Sequence, residues 1–247
     1  MESTPGKNPV DGARHRGPSL VMVAVIYVLL FAASIIIPTV MANGQHYPSP
    51  FGPAEQASRY FTQHANAVQL AALLQFGSAI PLGIFAASVT SRVQFLGMKV
   101  AGINIALFGG IAASIFLTIT ASFEWVLSQS SGAEIAGAIR ALHLLSFVTG
   151  GPGYVVAFGL LVAGVSVVAG LQAFAPRWLM VFGLAIAAVA EVSTFVLVLP
   201  AIAILLPIAR FLGFAWMICI AALLPKARGE VRNRGRAPAL LGEIPQT

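Results

Sequence analysis

Residues 189–210 read VAEVSTFVLVLPAIAILLPIAR, and how this stretch is read decides the fold. It is almost wholly apolar, yet an acid, Glu191, stands near its start and a base, Arg210, closes it. Pro200 lies about midway between the flanking cations Arg177 and Lys226, where a chain returning on itself needs a turn. Folding there puts each charge about 15 Å below the turn, near the middle of a hydrocarbon core about 30 Å thick. The two residues then sit at one depth on neighbouring antiparallel helices. The expectation is an ion pair, because a lone charge at a helix centre costs about 2.5–3.5 kcal/mol and a guanidinium fits a carboxylate bidentately.

The rest of the chain agrees with a membrane setting. Of 247 residues, 58% are apolar and only 9% charged, with a mean hydropathy of +0.88. Soluble domains carry about 25% charged residues, so an aqueous globular fold is excluded. Apolar runs cover about 19–41, 67–89, 97–120, 153–174, 178–199 and 201–224. Each is too long and too evenly apolar for an alternating barrel strand, so the spans are helices. The class is all-α: a polytopic membrane helical bundle of about six transmembrane helices plus two extracytoplasmic interfacial helices. The first run follows Lys7, Arg14 and Arg16 as a signal peptide would, but its apolar core exceeds the usual 7–15 residues and it reads as a retained span.

Cation placement sets the orientation. With the N-terminus inside, Lys7, Arg14, Arg16, Arg92, Lys99, Arg177, Lys226, Arg228, Arg232, Arg234 and Arg236 are all cytoplasmic, eleven of the fourteen Lys and Arg. A seventh span over 133–149 would export the tail cations, so that segment is not read as a crossing. The chain divides into a basic cytoplasmic N-terminal tail, 1–17, a six-span domain, 18–225, and a basic tail, 226–247. The composition of the last predicts disorder and offers contacts to anionic lipid headgroups. The net charge of +6 thus reports topology, with no nucleic-acid partner expected.

PAEQASRYFTQHANAVQ (53–69) and GAEIAGAIRALHLLSFVTGG (132–151) each read as a helix joined to the span that follows. Gly150, Gly151, Pro152 and Gly153 should break or bend the second, since 132–174 as one straight helix would run about 65 Å. Both segments place an Arg before a His, Arg59 with His64 and Arg140 with His143, which hints at a repeated hairpin.

If the second segment dips inward, Arg140 and His143 approach Glu191 from outside. The candidate intramembrane polar cluster is therefore Glu191, Arg210, Arg140 and His143, with Asn104, Ser193 and Thr194 nearby. Pro207, three residues before Arg210, would free a carbonyl beside it. No cofactor or metal is expected. Haem would need an axial partner for His143, and His64 is the one candidate on that side. Cys219 stands alone in an apolar run and reads as a packing residue. Phosphate loops, zinc motifs and nucleophile elbows are missing. Gly102, Gly109 and Gly110 read as close helix packing.

RALHLLSFVTGGPGYVVAFGLLVAG, PRWLMVFGLAIAAVAEVST and ARFLGFAW together resemble a bacterial family of multi-span integral membrane proteins grouped as a domain of unknown function. The resemblance covers about residues 55–225. It rests on Arg140 before the Gly-Gly-Pro-Gly break at Pro152, on Pro176, Arg177 and Trp178, and on Glu191, with Arg210 following. It implies the bundle and a bacterial plasma membrane, and it supplies no activity. Three functions stay open, in this order. The first is a non-enzymatic membrane component in which Glu191 and Arg210 are structural. The second is a small transporter or proton-coupled carrier using Glu191, Arg210 and Arg140. The third is an intramembrane enzyme on a lipid-like substrate, with Glu191 as acid or base and His143 beside it.

Overall fold

A computed structural model describes residues 14–129 and 136–230. Among these residues the secondary structure is helical, apart from one isolated bridge between Arg14 and Ala227. Eight α-helices follow in order: α1 (Leu20–Met41), α2 (Ala54–Gln63), α3 (Ala65–Phe95), α4 (Ala101–Ser128), α5 (Ala136–Val148), α6 (Tyr154–Leu171), α7 (Arg177–Val192) and α8 (Leu205–Leu223). Six helical segments are long and apolar enough to cross a membrane, α5 and α6 counting as one of them. Residues 1–13 and 231–247, most of both tails, lie outside the described residues.

Each helix boundary has a local cause. Ser19 caps α1 by accepting the Met22 N–H at 3.4 Å. The turn between α3 and α4 passes through Gly97 at φ +105°, a conformation open to glycine. Helix α3 runs six residues past the end of its apolar run, through Arg92 to Phe95. Hydropathy marks the immersed part of a helix, whereas backbone hydrogen bonding carries on into water.

The two segments read as joined helices differ from each other. Residues 54–95 are not one rod: His64, at φ −118° and ψ 31°, separates α2 from α3. Residues 136–171 do continue, but through a π-helical turn, Thr149–Gly153, kinked at Gly151 (φ −87°, ψ −106°). Pro152 lacks the N–H that a straight helix would use there, and glycine accepts the odd dihedrals. Helix α5 therefore leans on α2 and the last turns of α4, while α6 dives into the bundle.

The hairpin of residues 177–223 turns at Val198 and Leu199, flanked by two 3-10 segments, Ser193–Leu197 and Pro200–Ile204. Its tip is oily, with Val198, Leu199 and Ile204 all more than half exposed.

Helix α6 is the hub, in contact with α4, α7, α8 and α3. It crosses α4 at backbone distance. A Cβ on Gly109 would lie 2.6 Å from the Ala157 carbonyl and 2.7 Å from the Leu161 nitrogen. Without that glycine the two helices could not meet. Between α1 and α6 the Tyr27 and Tyr154 hydroxyls share a hydrogen bond inside a stack of rings that includes Phe31, Phe158 and Phe214.

At the terminal face, the His15 N–H donates to the Lys226 carbonyl at 3.0 Å, and the His15 ring shares a hydrogen bond with Ser91, also at 3.0 Å. Burial first, and Arg92 second, push the His15 imidazole below its ordinary value, so the ring is neutral at pH 7. Arg228 donates to the Phe95 carbonyl at 2.7 Å and lies over its ring. Both ends of the described chain are thus stitched to one face, as an even number of spans requires.

Candidate functional site

A cavity of about 290 Å³ opens at the far face, opposite the chain ends. It lies between α1, α4, α5, the π-helical turn and α8, under the loop carrying Tyr47, Pro48 and Pro50. Two polar rungs run beside it, one from α4 to the π-helical turn and one from α4 to α5. In the deeper rung Thr120 bonds Thr149 at 2.8 Å. In the upper rung Ser146 donates to Glu124 Oε1 at 3.5 Å. Thr120 and Glu124 are four residues apart, so the rungs are about 6 Å apart along the helix.

Arg210 enters beside the deeper rung. Its Nη2 donates to the Gly150 carbonyl, next to the kink at Gly151. The guanidinium carbon lies 5.2 Å from the Phe31 ring centre and 5.1 Å from that of Tyr154. Among the described residues, two aromatic faces and one carbonyl are the partners of this charge, and its buried Nε has none. On the upper rung, Glu124 is only 9% exposed and its Oε2 also lacks a partner.

His143, 4% exposed, closes the cavity from α5. Its ring is clamped edge-on by Tyr47 and Phe61, at centroid distances of 5.6 and 5.2 Å, and lies beside the Pro48 carbonyl. Tyr47 has an exposed ring but a hydroxyl turned into the cavity near Ser146. Burial of that hydroxyl, then the nearby Glu124 and Tyr60, hold the phenol well above its ordinary value. Tyr47 therefore stays a hydrogen-bond donor throughout the neutral range.

Of the four residues expected to cluster, Arg210 and His143 do share this cavity. Glu191 and Arg210 are not brought together, which corrects the expected pair. The buried face of α7 runs through Leu179, Gly183, Ile186 and Ala190, and Glu191 lies one step of about 100° past it, exposed. Arg210 faces inward beside Leu206, Ala209 and Gly213. The two side chains leave their helices on different sides. Arg140 is exposed on α5 and does not line the cavity. Asn104 is exposed, and Ser193 bonds its own helix at the Ala190 carbonyl (2.6 Å). Among the described residues, no group of three or more His, Cys, Asp or Glu side chains is placed to hold a metal ion.

Glu124 is the residue that sequence reading missed. It lies four positions beyond the apolar run 97–120 and so counted as outside. The signal was present in the period of α4: Ile103, Ala106, Gly110, Ala113, Leu117, Thr120, Glu124 and Leu127 form one buried stripe. Carrying the period past the end of the apolar run lands on the carboxylate.

Comparison with family models, curated proteins and solved structures finds no match to this chain.

Proposed function

We propose that this multi-pass membrane protein is a non-enzymatic membrane component that binds a small anion-bearing molecule in the far-face cavity. One observation carries the reading: Arg210 stands in that cavity at membrane depth, and no carboxylate among the described residues is bonded to it. A charge there costs about 2.5–3.5 kcal/mol, and the two ring faces and one carbonyl that offset it leave the buried Nε without a bond among the described residues. An anion taking the free edge of the guanidinium would complete it. Native mass spectrometry of protein drawn gently from its own membrane tests this. The expected result is a small co-purified mass on the wild type that is missing from Arg210→Gln. The same occupancy in both would sink the idea.

The distribution of Lys and Arg supports cytoplasmic termini, which makes the far face extracytoplasmic and the ligand one that arrives from outside. The resemblance of residues 55–225 to a bacterial membrane family supports a bacterial plasma membrane. A reporter enzyme fused after Thr247 should be active only in its cytoplasmic form; activity only outside the cytoplasm would reverse the assignment.

A carrier is the second reading, favoured by the kink at Gly151. Broken helices whose unpaired carbonyls face a site recur in transporters, and here the carbonyl before the break holds Arg210. A shift at that joint would move Arg210 and the ligand together. The enzyme reading has no such support, because Glu191 is exposed on α7 and does not line the cavity with His143.

A further inference from the structure

We infer that the molecule the cavity takes is a small zwitterion, an amino acid with an apolar side chain, whose carboxylate binds Arg210 and whose ammonium binds Glu124. This rests on the anion-binding reading of the same cavity and adds the other half of the ligand. Three observations carry it.

First, the cavity is lined by a base and an acid, Arg210 and Glu124, that are not bonded to each other. Among the described residues each keeps a buried polar atom with no partner, Nε on Arg210 and Oε2 on Glu124. A protein that only needed the charges quenched would have paired them directly. Glu124 lies on the upper rung and Arg210 beside the deeper one, so a molecule with a charge at each end can bridge them.

Second, the size is limited. A cavity of about 290 Å³ is at the small end for ligand sites, which run from about 300 to 1,000 Å³. It would hold about ten waters at about 30 Å³ each, so a lipid does not fit inside it.

Third, part of the remaining wall is apolar. Phe31, Ile35, Phe147 and Leu206 line the same cavity as the two groups. They offer a branched or aromatic side chain a place away from water and give a bare anion such as phosphate nothing to bind.

The test uses the full chain in lipid nanodiscs and isothermal titration with three probes of one shape. Leucine carries both charges, 4-methylpentanoate lacks the ammonium and 3-methylbutylamine lacks the carboxylate. Leucine should bind at least about 10-fold tighter than 4-methylpentanoate, the worth of one charged hydrogen bond. The amine should bind weakest. In Glu124→Gln the two acids should bind within about 3-fold of each other, a readout that a merely structural Glu124 would not move. Equal binding of leucine and 4-methylpentanoate to the wild type would overturn the zwitterion and leave the anion site standing. Binding of none of the three, or leucine binding unchanged in Arg210→Gln, would overturn both. Should Glu124→Gln fail to fold, the comparison of probes on the wild type decides alone.

Discussion

Arg210→Met should lose at least about 100-fold in ligand affinity, about 2.8 kcal/mol, while its ligand-free stability stays within about 1 kcal/mol of wild type or rises. The two effects separate because Arg210 is a binding residue kept at a cost. Removing it forfeits one bond to the Gly150 carbonyl and two ring contacts, and it also relieves a desolvated charge. Met has a similar reach and fills the space among Phe31, Tyr154 and Leu206 with little strain. If Arg210 were instead half of a structural pair, stranding its partner would cost about 3–5 kcal/mol. Thermal unfolding in detergent without ligand, set beside ligand titration in nanodiscs, measures both quantities on one variant. A large stability loss would make Arg210 a brace and remove the argument for a site.

The second large effect falls far from the cavity. Gly109→Ala should destabilise the bundle by about 2–3 kcal/mol, although alanine is the better helix former by about 1 kcal/mol. The added methyl meets backbone atoms of α6 at Ala157 and Leu161, and backbone cannot rotate aside as a side chain can. Helices α4 and α6 would have to separate along their whole contact, loosening the hub. Gly77→Ala is the matched control. It also lies inside a helix, α3, but its Cβ would meet nothing within 4 Å, so the propensity gain of up to about 1 kcal/mol should appear undiluted. Opposite shifts in melting temperature for the two substitutions are the expected result. A neutral Gly109→Ala would mean that α4 and α6 are more loosely joined than their contact distances indicate.

The opening stretch, 189–210, shows where sequence reading succeeds and where it stops. Its apolar run and its turn beside Pro200 follow from length and rise per residue, which are properties of one helix. Pairing depends on rotation, which neighbouring helices set. The buried stripe of α7 is already visible in its small and aliphatic residues at Leu179, Gly183, Ile186 and Ala190, and Glu191 falls off it. Reading the stripe together with the depth would have kept the acid away from the base. Glu124 failed for a related reason. Hydropathy ended span 3 at residue 120, while the helix and its buried face continued to Ser128. A polar residue on a buried stripe carries more information than the same residue inside an oily run. Cavity walls built by a loop, as at Tyr47 and Pro48, follow from no local pattern.

The stitch between Arg14 and Ala227, with His15 bonded at Lys226, also sets an order of events during synthesis. The two partners are separated by about 210 positions, and a ribosome adds about 5–20 residues per second. The first-made segment therefore waits about 10–40 s for the last-made one. During that wait, Phe95 lacks the cover that Arg228 later provides. The face that carries both chain ends is thus the last part of the molecule to close, and a nascent chain stalled before Lys226 would leave it open.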